Sequence, residues 1–349
     1  MKQVYSDVIQ FRGSHYDYGV YQGKLLKQSP ILHNRKIQWE SQKFRHFIVD
    51  INTVKQMLHH FAPGIWEELK GLADALSMKM EDAIQDFGGY YLEYGRSGCS
   101  IYTGSHYLVR NYDNDPSSYE GRYAIYQPTD HGFATIGPTM QITGRTDGMN
   151  EKGLAMGYNF INRKKSQDGF LCNMIGRIVL ENCATIGDAI SLLKEIPHRH
   201  SFSYCVIDRN RQSIIIEASP RSIALQKSNI CTNHFEQLTD ENRYRMDDSF
   251  QRYQAIQTLQ ADAIKPYHAF RMLNDTDKGV FSKKYGAWAG TLHTAMYFPE
   301  VRKAWFALGG DRKPLIFNLE NWVQGADIHA KQLKGQLETT HAFVNMDYL

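Results

Sequence analysis

The chain has 349 residues, of which 42% are hydrophobic and 22% are charged, a composition typical of globular proteins that excludes a disordered or fibrous chain. The net charge is +3 and lysine and arginine are scattered among acids, which excludes the basic stripe of a nucleic-acid-binding protein. No apolar run approaches the roughly 18 residues of a membrane span, and the first residues lack the apolar core of a signal peptide. We therefore expect a cytoplasmic protein that binds neither nucleic acid nor membrane.

The first 98 residues are predicted to be mostly helical. Apolar residues recur at spacings of three and four along residues 54–58 and 65–76, and a Pro-Gly pair at 63–64 separates these two segments. A further helix is predicted from residue 80 to about residue 88, with two acids in its first turn, where the helix dipole favours negative charge.

From about residue 99 the pattern changes to short runs rich in Ile, Val, Tyr and Thr that turn residues separate, which is typical of strands. The spacing of these runs favours hairpins. A turn is predicted at residues 150–153, where Gly153 is expected to adopt a positive φ. The predicted strands of this block are 108–111, 123–126, 133–136, 141–145 and 154–159.

Two helices are predicted to interrupt the strands, one over residues 174–182 and one that Thr185 caps and Pro197 ends. Strands and then helices return in the second half of the chain. Blocks in this order predict an α+β protein with layered sheets under helical covers rather than a parallel βαβ array. The remaining predicted elements are strands 204–207, 213–217, 223–225 and 230–233, helices 249–259 and 268–273, and a hairpin of 291–298 with 304–308.

The five cysteines are odd in number and widely spaced, which argues against a disulfide framework and a CxxC metal or redox site. Four of them lie in apolar or helix-like surroundings, as is typical of small buried hydrophobes. Cys99 differs because it follows Gly98 where the helical segment gives way to strands, and glycine permits the backbone geometry that a self-cleaving bond needs. A Gly-Cys pair by itself would indicate only a turn before a strand.

Arg110 and Asp113 follow Cys99 after one short strand and turn. On adjacent strands of one hairpin, Cys99 and Arg110 would face each other, and a cation beside a thiol lowers the thiol pKa. Taken alone, the pair is equally compatible with a surface salt bridge between Arg110 and Asp113.

Five short motifs occur in one order along the chain: Gly98-Cys99, Arg110-Asn111-Tyr112-Asp113, the run 147–154, Tyr158-Asn159-Phe160 and Thr232-Asn233. The same order is found in choloylglycine hydrolases and penicillin V acylases, which this chain resembles. The opening at 13–19 and the long segment before Cys99 resemble the related acyl-coenzyme A:6-aminopenicillanic acid acyltransferase family, peptidase family C45. Bile salt hydrolases begin almost at their cysteine, so this second branch fits better.

The resemblance implies an N-terminal nucleophile hydrolase, whose α+β fold is a four-layer αββα sandwich. It implies self-cleavage between Gly98 and Cys99, so that residues 1–98 are a helical N-terminal segment, as propeptide or small chain, and residues 99–349 are the αββα domain. The implied activity is that of an amidohydrolase or acyltransferase acting on a non-peptide linear amide through a thioester. The implied catalytic residues are Cys99 as nucleophile, Arg110 and Asp113 beside it, Asn159 and Asn233 at the oxyanion positions, and Arg252 as a late active-site arginine.

Two other interpretations are compatible with the sequence. A papain-like thiol hydrolase would pair Cys99 with His198, His200 or His234 and would need no chain cleavage. A binding or scaffold protein on the same fold would keep residues 1–98 and have an inert Cys99.

No cofactor and no metal are predicted. The histidines at positions 59, 60, 198 and 200 lack a carboxylate or cysteine at ligand spacing, so surface or capping roles are expected for them. The expected partner is a small-molecule amide or acyl donor. A second copy of the chain, in a homo-oligomer, is the other candidate partner.

Overall fold

The computed structural model describes residues 1–41, 50–90, 98–161, 166–242, 246–260, 264–287 and 289–346. Its helices are α1 (His15–Leu26), α2 (Ile31–Ser41), α3 (Ile51–Phe61), α4 (Pro63–Leu76), α5 (Met80–Phe87), α6 (Cys172–Asn182), α7 (Ile186–Glu195), α8 (Asp247–Leu259), α9 (Pro266–Asn274) and α10 (Leu319–Val323). Its strands are β1 (Lys2–Gly13), β2 (Gly98–Thr103), β3 (Leu108–Asn114), β4 (Arg122–Pro128), β5 (Thr135–Met140), β6 (Gly144–Arg145), β7 (Asp147–Asn150), β8 (Ala155–Phe160), β9 (Phe202–Ile207), β10 (Ser213–Ala218), β11 (Ile223–Gln226), β12 (Ile230–Cys231), β13 (Gly290–Phe298), β14 (Lys303–Leu308), β15 (Leu315–Asn318) and β16 (Gln332–Leu337).

The strands of the described residues form two sheets. The larger has ten strands in the order β11-β10-β9-β8-β7-β5-β4-β1-β16, with β6 paired to β5 beside this path. The smaller has six strands in the order β12-β2-β3-β13-β14-β15. Neighbouring strands are antiparallel except β1 and β4, which are parallel.

Three apolar clusters separate four layers. The first lies between the large sheet and α3–α7, the second between the two sheets, and the third between the small sheet and α8 and α9. Successive side chains of a strand point to opposite faces, so one strand serves two clusters. In β8, for example, Met156 packs toward the helices and Ala155 toward the small sheet. The predicted four-layer αββα sandwich is confirmed.

The prediction that residues 1–98 are mostly helical is wrong at the start of the chain. Residues 2–13 form β1, which lies inside the large sheet between β4 and β16. Its sequence lacks the alternation of apolar and polar residues that identifies a strand, because polar residues occupy both faces. One of its buried positions is Ser6. Both of its partners are distant in sequence, so no local hairpin signal identifies it.

Other local predictions are confirmed. Thr185 caps α7 in a reciprocal capping box with Asp188. Gly153 adopts a φ of +79° in the turn that joins β7 to β8. The late hairpin is present as β13 and β14. Among the described residues, no helix has the length and apolar character needed to cross a membrane.

A buried ionic cluster joins the N-terminal helices to α6. Arg177 of α6 lies 2.9 Å from the carboxylate of Glu68 on α4, and both side chains are fully buried. Arg177 also pairs with Glu181, whose carboxylate lies 3.4 Å from the ring of His15. Opposite charges removed from water stabilise a structure only while each keeps its partner.

We expect replacement of Arg177 by alanine to lower the free energy of unfolding by about 3–5 kcal/mol, because Glu68 and Glu181 would remain buried without their cation. Denaturant unfolding would measure the change. The matched control is Arg211→Ala, which breaks a half-exposed pair with Glu300 and should cost far less, because water screens exposed charges. Equal effects of the two changes would contradict the expectation.

Candidate active site

Cys99 is the second residue of β2, and its side chain is buried between the two sheets. β2 and β3 form a hairpin in which Gly98 pairs with Asp113, Cys99 with Tyr112, and Ile101 with Arg110. Cross-strand partners share a face, as do residues two apart in one strand. Cys99 and Arg110 therefore lie diagonally on the inner face of the small sheet.

The guanidinium of Arg110 lies beside the thiol, with Nη2 at 3.4 Å from Cys99 Sγ. Nη1 donates to Asp147 Oδ2 at 2.7 Å and to the Thr146 carbonyl at 2.8 Å, and Nη2 also donates to the Tyr158 carbonyl. Burial alone would lower the pKa of Arg110, but the neighbouring Cys99 and Asp147 raise it above its ordinary value. The arginine is thus a fixed cation, and the predicted approach of Arg110 to Cys99 is confirmed.

Asp113 points to the other face of the small sheet. It is three residues from Arg110 in one strand, so the two side chains diverge. Its Oδ1 accepts a hydrogen bond from Thr291 at 2.6 Å. Burial raises the pKa of Asp113 to about 7, although Arg252 and Thr291 act against this rise. A surface salt bridge is excluded because both Arg110 and Asp113 are buried.

Two side chains hold the main chain of Cys99. Asn233, which follows β12, accepts a hydrogen bond from the Cys99 N–H through Oδ1 at 2.7 Å. Arg252 of α8 donates to the Cys99 carbonyl at 2.5 Å and to Asn233 Oδ1 at 2.9 Å. Asp248, one turn earlier on α8, accepts from Arg252 Nε at 3.0 Å. The nitrogen of the Gly98–Cys99 peptide bond is therefore fixed in position.

The two asparagines use their NH₂ groups on main-chain carbonyls. Nδ2 of Asn233 donates to the Phe160 carbonyl at 2.8 Å. Nδ2 of Asn159 donates to the carbonyls of Cys231 at 2.9 Å and Thr232 at 3.2 Å. An oxyanion role for Asn159 would require its NH₂ group to leave these acceptors. The NH₂ group of Asn233 has a second hydrogen and a single acceptor among the described residues, so it could meet an oxyanion where it lies.

Three residues outside the predicted set complete the surroundings of Arg110. Asp147 accepts hydrogen bonds from Arg110, from Tyr297 and, at 3.1 Å, from His293 Nε2. Burial alone would raise the pKa of Asp147, but His293, Arg110 and Tyr297 hold it below its ordinary range. Asp147 therefore stays ionised and holds Arg110 against the thiol.

These residues carried a signal in the sequence. Asp147 opens the motif 147–154, whose residues 150–153 form the predicted turn. His293 and Tyr297 are four residues apart in a predicted strand, and the period of two puts both on one face. This pattern does not predict the contact between β7 and β13, because the two strands belong to different sheets.

The histidines of the papain-like alternative bond elsewhere. His198 bonds to the Leu193 carbonyl at 2.8 Å, and His234 bonds to Ser249 at 2.9 Å. Burial lowers the pKa of each of these two rings to about 4, with Arg252 adding to the effect at His234. His200 packs edge-on against Phe160. Among the residues that the structure describes, no three His, Cys, Asp or Glu side chains group as a metal site would require.

Comparison by sequence finds one protein family. The model of the acyl-coenzyme A:6-aminopenicillanic acid acyl-transferase family matches residues 102–313, which is more than half of the chain. Arg110, Asp113 and Asn159 lie inside the matched range, as do the later site residues, whereas Cys99 lies three residues before it. Among curated proteins, none matches the chain in sequence.

Comparison with solved structures finds partial matches. A penicillin V acylase from Agrobacterium tumefaciens is 15% identical, and the match covers 63% of this chain and 84% of that chain with a TM-score of 0.43. A mutant of the conjugated bile acid hydrolase from Clostridium perfringens is 13% identical, with 64% and 94% covered and a TM-score of 0.45. The Caenorhabditis elegans ortholog of N-acylethanolamine-hydrolyzing acid amidase is 11% identical, with 58% and 93% covered and a TM-score of 0.41.

Proposed function

We propose that this chain, which belongs to the acyl-coenzyme A:6-aminopenicillanic acid acyltransferase family and so is an amidohydrolase or acyltransferase, cleaves itself before Cys99. In this proposal it then acts on a small-molecule linear amide, whose acyl group forms a thioester with Cys99. The observation that carries the proposal is the set of contacts around Cys99. One guanidinium lies 3.4 Å from its sulfur, while Asn233 and Arg252 hold its N–H and carbonyl.

The first reaction in this proposal is on the chain itself. The sulfur of Cys99 attacks the carbonyl carbon of Gly98, a C–S bond forms, and the bond from that carbon to the Cys99 nitrogen breaks as the nitrogen takes up a proton. Water then hydrolyses the thioester, which leaves a carboxylate on Gly98 and a free thiol on Cys99. Asn233 holds the nitrogen that leaves, because its Oδ1 already accepts the N–H of that bond.

Cleavage supplies the general base for the second reaction. The new α-amine has a reference pKa of about 7.7–8.0, so roughly one amine in ten is unprotonated at pH 7. The cation of Arg252, bound to the next carbonyl and to Asn233, favours the unprotonated form further. The amine takes the thiol proton, the thiolate attacks the substrate carbonyl, and the proton passes to the departing amine. Water or another amine then receives the acyl group.

The other site residues have positioning roles in the proposal. Arg110 favours the thiolate of Cys99, and Asp147 fixes Arg110. Asp113 lies opposite Gly98 across the hairpin, where its carboxylate would hold the newly formed amine by accepting a hydrogen bond from it. Asn159 lies on β8, opposite this hairpin.

Cleavage would not detach residues 1–98 in this proposal. β1 remains hydrogen-bonded between β4 and β16, and the pair of Glu68 with Arg177 joins the two pieces inside the core. The N-terminal piece would therefore act as a small chain of the enzyme rather than as a discarded propeptide.

The ionisation of Asp113 predicts how chain cleavage depends on pH. Its pKa is raised to about 7, so the carboxyl is mostly protonated below pH 6 and mostly ionised above pH 8. If the ionised form assists cleavage, the rate should rise through a midpoint near pH 7. The fraction of cut chain over time, followed by gel electrophoresis from pH 5.5 to 8.5, would measure this. An unchanged midpoint in Asp113→Asn, which has no carboxyl to titrate, would contradict the assignment.

Trapping of the acyl-enzyme tests the proposed function directly. The protein is incubated with a panel of N-acyl amides, quenched in acid and examined by intact mass spectrometry. On the piece that begins at Cys99, we expect a mass increase equal to the acyl group less the one hydrogen that it replaces. Neutral hydroxylamine should remove this adduct, as it removes thioesters. Cys99→Ala should show no adduct. Release of free acid by that variant as well would contradict the proposed role of Cys99.

A further inference from the structure

The carboxamide of Asn159 has one orientation. Two main-chain carbonyls, those of Cys231 and Thr232, lie within 3.2 Å of its Nδ2. Exchange of the nitrogen and oxygen would place Oδ1 against these carbonyl oxygens, which is repulsive, so the NH₂ group must face them. Oδ1 therefore points away from β12.

The oxygen of this carboxamide has no donor among the described residues. Asn159 is fully buried, and no hydrogen bond to Oδ1 is found among the parts of the chain that the structure describes. A buried acceptor without a partner destabilises the folded protein, and nearly all such atoms in proteins are satisfied by a ligand, a water or a neighbouring group. Since none of the described residues donates to Oδ1, the remaining donors are a ligand or a water.

Asn159 lies between the two groups that contact Cys99. The carbonyl of Tyr158, just before it, accepts from Arg110, and the carbonyl of Phe160, just after it, accepts from Asn233. Gly157 is two residues earlier on the same face of β8, and a Cβ there would lie 2.8 Å from Arg110 Cδ. The side chain of Asn159 thus belongs to the face of the large sheet that covers the thiol.

The chemistry of an amide substrate supplies the missing donor. An N–H amide has a hydrogen on the leaving nitrogen, whereas an oxygen ester of the same acyl group has only lone pairs there. We infer that Oδ1 of Asn159 accepts a hydrogen bond from the N–H of the substrate and makes the enzyme select N–H amides over oxygen esters. This inference rests on the proposed function. A hydrogen bond of the same kind exists at the Gly98–Cys99 bond, where Oδ1 of Asn233 accepts from the N–H.

The experiment compares acylation by matched p-nitroanilides and p-nitrophenyl esters, with acyl groups from acetyl to decanoyl. The quantity measured is the ratio of kcat/KM for the anilide to that for the ester. Because both values come from one protein sample, the ratio does not depend on the fraction of folded enzyme. We expect Asn159→Leu to lower this ratio at least about tenfold. Leucine offers no acceptor to the N–H of the anilide, so anilide cleavage falls, whereas the ester has no N–H that needs an acceptor.

Asn173→Leu is the matched control. Asn173 on α6 is also buried and its Oδ1 also lacks a donor among the described residues, but it lies in the helical layer on the other side of the large sheet. Its replacement should leave the ratio unchanged. Should Asn159→Leu fail to fold, the reference is cysteine methyl ester, a small molecule with a free amine and thiol that reacts with the same two probes. The ratio of anilide to ester reaction should be higher for the wild-type enzyme than for this compound.

The outcomes separate the inference from the proposed function. Acylation of Cys99 by neither probe would overturn the proposed function, and the inference with it. Acylation by both probes with an equal ratio in wild type and Asn159→Leu, or cleavage of esters alone, would overturn the inference while leaving Cys99 as the nucleophile. A fall of the ratio in Asn159→Leu but not in Asn173→Leu would support it.

Discussion

Replacement of Cys99 by alanine is expected to leave the protein as one uncut chain of 40.2 kDa, whereas the wild type should separate under denaturing conditions into two pieces that meet at Gly98 and Cys99. The physical reason is that the sulfur is both the attacking atom and the group that carries the acyl intermediate, so no other group replaces it. Asn233 and Arg252 would still hold the peptide bond but could not cut it. Intact mass spectrometry of the two purified proteins measures the result.

The matched control is Cys205→Ala. Cys205 is also buried between the sheets, and burial raises the pKa of its thiol to about 12, as expected for an inert cysteine. This variant should be cut like the wild type. A single uncut chain in both the wild type and Cys99→Ala would exclude the free-amine mechanism for the isolated protein. Thiol labelling would then distinguish a papain-like enzyme or an unprocessed precursor from an inert scaffold.

Replacement of Arg110 by methionine is expected to slow chain cleavage by roughly a hundredfold or more, the size of effect produced by removing one preorganised charged donor from an active site. The guanidinium lies 3.4 Å from the sulfur in a fully buried setting, where a cation strongly favours the thiolate. The pH midpoint for alkylation of Cys99 by iodoacetamide should therefore rise. Peptide mass spectrometry at graded pH would measure it.

Two further variants make this result interpretable. Arg145→Met removes another fully buried arginine, one that lies on β6 rather than beside the thiol, and should leave the midpoint unchanged. Arg110→Lys keeps the charge but cannot bond at once to the sulfur, Asp147 and the two carbonyls, so cleavage should be partly retained. A midpoint that is equal in Arg110→Met and the wild type would show that Arg110 does not set the state of the thiol.

Local sequence signals determined many elements of the fold. The helix that Thr185 caps, the turn at Gly153 and the hairpin of β13 and β14 depend on neighbours within a few residues, so propensity and periodicity suffice to predict them. β1 has no such local signal, because its partners β4 and β16 are more than a hundred residues away.

The chemistry of the site was predicted in part. The motif around Cys99 and Arg110 indicated a nucleophile with a cation beside it, since the two lie on one short hairpin whose register a sequence can suggest. A pairing of Arg110 with Asp113 is not found in the structure. In a strand, residues three apart diverge, and the carboxylate that holds Arg110 comes from Asp147 on the other sheet.

The sequence by itself therefore determined the kinds of elements, the candidate nucleophile and the family resemblance, because each of these is a property of short segments. Only the tertiary structure decided which groups meet at Cys99. Arg252 and Asn233 reach its main chain from segments more than 130 residues away, and Asp147 with His293 joins the two sheets behind Arg110. Such contacts depend on how two sheets stack and in which register, and that is set by burial of the whole core rather than by any one segment.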